Sequence, residues 1–242
     1  MSNLKKIFVV SDVHGHYTLL KDALDKAGFD KNDENHFLVC LGDYFDRGNE
    51  NVAVLKFFES LKHKALLKGN HEDLLLKVLQ TGKLAPHNLI NGTMTTLENF
   101  FGKYSVISAD NSIDFSGKTK IVERLCEFIT QTTNFFETEN YLFVHGWIPA
   151  KCRSLRMVRK SDDKAWEEAR WTRWTDMYDG KRPLKDKTLI CGHMPTFFAY
   201  EFDNKRKKGD TGIFYANGMN AIDAGTFDTG KVNVLVIEDN LI

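Results

Sequence analysis

The stretch Phe37-Leu38-Val39-Cys40-Leu41-Gly42-Asp43-Tyr44-Phe45-Asp46-Arg47-Gly48 passes in one step from a continuous apolar run to a glycine-bounded polar loop. Beyond it Val52, Leu55 and Phe58 recur at helical spacing. A short apolar run bounded by turn residues reads as a strand buried on both faces, and the periodic run after it as an amphipathic helix. The same unit occurs on either side. Lys6 to Val10 leads into Ser11-Asp12 and then Leu19, Leu20, Ala23, Leu24 and Ala27, while Ala65 to Leu67 leads into Gly69-Asn70 and a helix carrying Leu74, Leu75, Val78 and Leu79. Repeated strand, loop and helix units stack into a parallel sheet whose strand ends open on one crevice. The chain is therefore expected to be α/β. Further helices are expected around Thr95 to Phe101 and Ile121 to Ile129, with strands at Tyr141 to Val144, Thr188 to Cys191, Asn220 to Asp223 and Val232 to Ile237. Four prolines and no internal repeat or Ser/Gly-rich stretch offer no linker, so 1–242 reads as one domain.

Composition narrows the function classes. Lys+Arg and Asp+Glu both number 33, giving a net charge of zero, so no overall field favours nucleic acid or an anionic membrane. At 42% hydrophobic and 27% charged residues the chain is an ordinary globule rather than disordered or fibrous. No apolar run approaches the ~18–20 residues of a membrane helix. Lys5 and Lys6 precede only a short apolar run, too brief for a secretory leader, so a cytoplasmic location is expected. Cys40, Cys126, Cys152 and Cys191 lack CxxC spacing and read as buried thiols, neither zinc ligands nor a disulfide framework. The basic run Lys205 to Lys208 reads as a solvated hairpin tip.

Metal-ligand residue types directly follow five of the strand-like runs: Asp12 and His14, Asp43, Asn70 and His71, His145, and His193. In a sheet of this type all reach one edge. Any one of them alone reads as a hydrogen-bonded structural residue; their recurrence at one structural address is what points to a site. Carboxylate, amide oxygen and imidazole suit manganese, iron, zinc or cobalt. Asp12, His14, Asp43, Asn70, His145 and His193 could hold two such ions if one carboxylate bridges. Two dications facing two carboxylates leave a positive surplus that suits a phosphate dianion and acidifies a shared water toward hydroxide, the attacking group for phosphoester hydrolysis. Arg47 offers a fork of donors to phosphate oxygens. His71, beside Asn70, is placed to protonate a leaving oxygen, and Asp46 to hydrogen-bond and orient it.

These residues sit in motifs. Asp12-Val13-His14-Gly15, Gly42-Asp43-Tyr44-Phe45-Asp46-Arg47-Gly48, Gly69-Asn70-His71-Glu72, Val144-His145-Gly146 and Gly192-His193 resemble the ordered motif set of the calcineurin-like metallophosphoesterases. More narrowly they resemble the PPP-type serine/threonine protein phosphatases. The resemblance implies a four-layer α/β/β/α sandwich with a dinuclear site, commonly manganese, with iron, zinc, cobalt or nickel as other occupants. It implies that Asp12, His14 and Asp43 hold one ion and that Asp43 bridges to a second held by Asn70, His145 and His193. His71 becomes the general acid paired with Asp46, and Arg47 binds phosphate, with Asn70 also at the substrate. Trp171-Thr172-Arg173 resembles a Trp-x-Arg segment of bacterial and phage members that supplies a second phosphate-binding arginine. Arg173 is the choice, although a helix through 163–175 could present Arg170 instead. Trp171 and Trp174 read as packing residues. Asn91-Gly92-Thr93 with Thr96-Leu97 and Phe101-Gly102 is similar to the bacterial branch, and Ile222-Asp223-Ala224-Gly225 resembles that branch's structural IDTG turn.

Phosphodiesterases of the superfamily carry a second histidine where this chain has Pro195, and purple acid phosphatases need a tyrosine where it has Asp46. The expected substrate is a phosphorylated protein or small phosphomonoester, because Asp46-Arg47-Gly48 is intact. A symmetrical dinucleoside tetraphosphate hydrolase is the rival reading, and an inactive binding scaffold a remote one.

Overall fold

The computed structural model of the chain describes residues 4–102 and 111–242. In chain order the elements are β1 (Leu4–Val10), α1 (Tyr17–Ala27), β2 (His36–Cys40), α2 (Asn51–Ser60), β3 (Lys64–Leu66), α3 (Asn70–Thr81), α4 (Pro86–Ile90), α5 (Thr93–Phe101) and α6 (Thr119–Thr130). There follow β4 (Phe135–Glu137), β5 (Tyr141–Val144), α7 (Leu155–Val158), α8 (Asp163–Arg170), α9 (Trp174–Met177), β6 (Thr188–Cys191), a 3-10 turn (Thr196–Glu201), β7 (Phe214–Ala216), β8 (Met219–Ala221), α10 (Thr226–Thr229) and β9 (Leu235–Asn240).

Two sheets form, ordered β3-β2-β1-β9 and β4-β5-β6-β8-β7. In the first, β1, β2 and β3 are parallel and β9 closes the edge antiparallel; in the second, β5, β6 and β8 are parallel between antiparallel edge strands. The period-two alternation of a strand explains how these sheets stack. Phe8 and Val10 of β1, with Leu38 and Cys40 of β2, face a core shared with the apolar sides of α1, α2, α3, α5 and α6. Their alternates Ile7, Val9 and Val39 face the other way, into a core that also holds Phe143 of β5 and Ile190 of β6. Leu142, Val144, Leu189, Cys191 and Met219 then face a third core under α7, α8 and α9. Helices, sheet, sheet and helices make the expected four layers, and both sheet faces are dry, which is why the strands read as continuous apolar runs.

Several expectations shift. β9 starts at Leu235 because Val232 and Val234 pack as loop residues against the helix-side core. β8 ends at Ala221, before Asp223. The helix expected through 163–175 breaks after Arg170. Trp147 donates its backbone N–H to the Ala169 carbonyl at 3.0 Å, and Arg173 adopts an extended conformation before α9. The run Lys205 to Lys208 is no hairpin tip: it lies between the 3-10 turn and β7, with Arg206 folded inward onto the carbonyls of Gly212 (2.7 Å) and Ile213 (3.0 Å). All four cysteines are free. Among the described residues no helix is long and apolar enough to cross a membrane.

Candidate active site

Parallel strands deliver their carboxyl ends to one edge, and the residues just past those ends line a cavity of about 270 Å³ that includes Asp12, His14, Asp43, Arg47, Asn70, His71, Arg173 and His193. His145 lies against the same cluster, with Nε2 2.9 Å from Asn70 Oδ1. Residues separated by up to 181 positions are thereby brought together: the backbone N–H of His193 donates to Asp12 Oδ2 at 2.9 Å, and the Ser11 hydroxyl donates to the same oxygen.

The donor set fits divalent metal. Asp43 belongs to two potential ligand groups, His14-Asp43-His71 and Asp43-His145-His193, each with its donor atoms within 4.8 Å of one another. Asp43 Oδ2 stands 3.7 Å from His14 Nε2 and Oδ1 3.5 Å from His145 Nε2. Those separations are long for hydrogen bonds, and close to the ~3–3.5 Å kept by two atoms bonding a common ion at about 2.1 Å. The imidazoles are also aimed. His14 Nδ1 lies 2.9 Å from the Phe45 carbonyl and His145 Nδ1 3.0 Å from the Leu41 carbonyl. Nδ1–H donation to these carbonyls leaves each Nε2 as the unprotonated, ligating nitrogen. Burial keeps these rings neutral: it depresses His145 to about 4 and, with help from His145, His193 to about 3, and it lowers His14 as well. Neutral imidazole is the form a metal takes.

A second cluster adjoins the first. His71 Nδ1 lies 2.7 Å from Asp46 Oδ2, and Arg47 Nη2 lies 3.3 Å from His71 Nε2. Burial opposes a charge on His71, but Asp43 and the hydrogen bond to Asp46 outweigh it, so its pKa is raised. Geometry alone would also let His71 join His14 and Asp43 as a ligand. Its engagement at one nitrogen by Asp46, and the guanidinium beside the other, place it instead on the side where Arg47 points into the cavity.

The supports for this cluster were not assigned in the sequence reading. The Thr96 hydroxyl accepts from the Asp46 N–H (2.8 Å) and donates to Asp46 Oδ1 (2.7 Å), while Thr93 donates to Oδ2 at 3.2 Å. Both threonines stand on α5, in the stretch noted above as similar to the bacterial branch. Buried Glu72 accepts from the N–H groups of Asp43 (2.8 Å), Tyr44 (3.0 Å) and Gly69 (2.8 Å), binding the loop after β2 to the start of α3. Gly42 and Gly69 allow that approach: a Cβ on Gly42 would fall 2.7 Å from Gly69 Cα.

The backbone itself is unusual here. Asp12, His14, Asp43, Asp46, Arg47 and His193 all have positive φ, against two other non-glycine residues, Asn111 and Lys151, among those described. Each such conformation costs of the order of ~1–3 kcal/mol and persists where the surroundings enforce it.

Of the two arginine candidates, Arg170 is 6% exposed and committed elsewhere, its Nε 2.6 Å from Asp73 Oδ2 and Nη1 2.7 Å from Asn134 Oδ1. Arg173 lines the cavity. The two tryptophans also part. Trp174 is fully buried and donates Nε1–H to the Met194 carbonyl at 2.7 Å, as a packing residue does. Trp171 is not the packing residue expected: 44% exposed, it lines the cavity and meets the His193 ring edge-on at 6.3 Å. Asp223, read from sequence as part of a structural turn, lines the cavity too and is 3% exposed.

Comparison with known proteins agrees with this geometry. Residues 5–223 match the calcineurin-like phosphoesterase family. Serine/threonine-protein phosphatase 2 of Escherichia coli strain K12 is 36% identical over 78 residues, covering 32% of this chain and 34% of that protein. A symmetrical bis(5'-nucleosyl)-tetraphosphatase of Shewanella frigidimarina is 37% identical over 81 residues, covering 33% of this chain and 29% of that protein. The matches thus span about a third of the curated relatives' length. Among solved structures, one provisionally named a diadenosine tetraphosphatase superposes with a TM-score of 0.60 at 15% identity, covering 98% of this chain and 94% of that one. A serine/threonine phosphatase of Saccharomyces cerevisiae gives 0.57 at 16%, covering 98% and 80%. At such identities the structural likeness speaks for the fold alone. The family match extends over most of the chain and includes every strand-end residue from Asp12 to His193, so the chain belongs to the calcineurin-like phosphoesterase family.

Proposed function

We propose that this protein is a metal-dependent phosphoester hydrolase acting on phosphomonoesters, phosphoserine and phosphothreonine in proteins foremost. The observation that carries the reading is Asp43, shared by two ligand groups and standing beside the hydrogen-bonded His71–Asp46 pair. Asp12, His14 and Asp43 would hold one ion, and Asp43, Asn70, His145 and His193 a second, with manganese the choice. When bound, two dications supply Lewis acidity that neutralises phosphate charge and acidifies water.

The chain's own residues do the rest. Arg47 and Arg173 bind the phosphate oxygens, Arg47 in a pose fixed by its N–H to the Gly92 carbonyl at 3.3 Å. A bidentate guanidinium favours a dianion and orients it. Asn70, at the first turn of α3, faces the same phosphate. His71, held by Asp46, gives its Nε2 proton to the departing ester oxygen, and the raised pKa keeps that proton available near neutrality. Thr93 and Thr96 hydrogen-bond both oxygens of Asp46 and fix its pose. A cytoplasmic setting belongs to this reading, supported by four free cysteines.

A second reading, hydrolysis of dinucleoside tetraphosphates, is favoured by Trp171, whose exposed indole stands in the cavity wall where a nucleobase could stack. Side-by-side turnover of a phosphoserine peptide, p-nitrophenyl phosphate and diadenosine tetraphosphate by the manganese-loaded protein separates the two. Faster turnover of the phosphopeptide is expected. Preference for the dinucleotide would move the assignment to the second reading, and no turnover of any would leave a binding scaffold.

A further inference from the structure

Five strand ends supply the residues discussed so far, but the two sheets contain six strands in parallel pairings. β8 runs parallel to β6, with Leu189 opposite Met219 and Cys191 opposite Ala221, so its carboxyl end reaches the same edge. Two residues beyond that end stands Asp223, at the offset by which His193 follows β6 and Asp12 follows β1. Its position is fixed by backbone: the Ile222 N–H donates to the Cys191 carbonyl at 2.9 Å and the Thr196 N–H to the Asp223 carbonyl at 2.8 Å. The side chain is 3% exposed and uses Oδ1 to accept from the Gly225 N–H at 2.7 Å.

A turn-bracing aspartate needs only that one contact, and it does not need to be buried beside two other carboxylates. Asp223 is. Asp223, Asp12 and Asp43, each at most 3% exposed, line the same cavity. Three buried carboxylates around one cavity face two arginines, Arg47 and Arg173, and leave room for a further cation to balance them. A second feature of the same wall points to a ligand. The Thr226 hydroxyl, 1% exposed and lining the cavity, has no hydrogen-bond partner within the protein. Buried polar groups are nearly always satisfied, so one left open at a cavity wall marks where something else binds.

We propose that Asp223 is a positioning carboxylate of the divalent-ion centre, on its Asp12 side, which strengthens the binding of one of the two ions. This rests on the two-ion reading above and revises its charge balance: four positive charges face three carboxylates, leaving a surplus of one rather than two. Two arginines in the cavity then carry more of the attraction for a phosphate dianion.

Calorimetric titration of the metal-free protein with manganese, wild type against Asp223→Asn, tests it. Asparagine keeps an oxygen for the Gly225 N–H and removes only the charge. One of the two binding steps should weaken roughly 10–100-fold, the range for groups that support metal ligands, and the other should be unchanged. The rise in unfolding temperature on adding manganese should shrink, while the metal-free variant unfolds no lower than wild type, because asparagine keeps the contact with the Gly225 N–H. Unchanged affinity at both steps, or a lower midpoint of the metal-free variant with affinity intact, would assign Asp223 to the turn alone. Two-ion binding lost in the wild type as well would instead remove the centre itself. Should the variant not fold, the native protein crystallised with manganese decides: Asp223 Oδ2 turned to the ion site upholds the inference, and Oδ2 turned to a protein donor overturns it.

Discussion

The first and second sheets end at one cavity, but the two sides of that cavity are built differently. On the first-sheet side, Asp12, His14, Asp43, Asp46, Asn70 and His71 are at most 3% exposed, and Glu72, Thr93 and Thr96 fix the loop that bears Asp43 and Asp46 by hydrogen bonds to its backbone and carboxylate. On the second-sheet side His145 is as buried, yet the segment between it and His193 also puts a 44% exposed Trp171 and the open Arg173 into the cavity. On the proposed reading the first wall, tied down by these hydrogen bonds, would handle the proton, both walls would hold ions, and the second wall would meet the variable part of the substrate. Reaction chemistry and substrate choice should therefore respond to different substitutions.

The sharpest way to break that division is at the residue both sides share. Asp43→Asn should reduce the ion content below two per chain and bring turnover close to the uncatalysed level on every ester, as elemental analysis and kinetics would show. Retained turnover on any substrate would mean that the two walls do not share a centre. His71→Asn comes next. It should keep both ions but lower kcat by roughly 10²–10⁴ on esters with poor leaving groups, and far less on p-nitrophenyl phosphate, whose leaving group needs no proton. Equal losses on both esters would remove His71 from the proton-donating role.

Trp171→Ala probes the open wall. Loss of a stacking platform costs about 1–3 kcal/mol per base, so KM for diadenosine tetraphosphate should rise roughly 5–150-fold, with inhibition by inorganic phosphate unchanged and Trp171→Phe largely restoring the wild-type value. A parallel loss for the phosphoserine peptide would make Trp171 a general wall residue. The smallest effect expected is on stability. In the metal-free protein His145 and His193 are held at about 4 and about 3, below the ~6.5 of an unfolded chain. As pH falls below ~6.5 the unfolded chain takes up protons that the folded one refuses, so stability is lost from there downward. Buried Glu72, raised to about 7, and Asp43 and Asp223, also raised by burial, act in the opposite sense, so the share of the two rings is read by difference: the midpoint of a metal-free His145→Gln, His193→Gln variant should fall less steeply than that of the wild type, by roughly 5–10 °C per pH unit between about 6.5 and 5. Bound manganese also holds both rings neutral, so it should raise the midpoint without flattening that slope.

The two walls also differ in how far the sequence betrays them. Asp43, Asp46, Arg47, Asn70 and His71 stand within a few residues of strand ends, in stretches where apolar runs break abruptly, and are legible without coordinates. The sheet stacking was legible only through the family resemblance, because an apolar strand looks the same whichever layer each face meets. Thr93 and Thr96 act on Asp46 across 47 and 50 positions, and no local pattern announces a clamp of that span. Positive φ at six site residues leaves no compositional trace when the residue is Asp, His or Arg rather than Gly. Trp171 was misread because exposure of an aromatic depends on where α8 stops, which a contact with Trp147 decides. Asp223 reads from sequence as part of a structural turn, and the strand expected at Asn220 to Asp223 runs over it, hiding that β8 ends two residues earlier, at Ala221.

The central claim is that Asp43 joins two ion sites, and the most direct measurement is anomalous scattering from crystals of the manganese-loaded protein, combined with elemental analysis. Two peaks flanking the Asp43 carboxylate, with a metal-to-chain ratio near two, are expected. A single peak, or none, at saturating manganese would contradict the account.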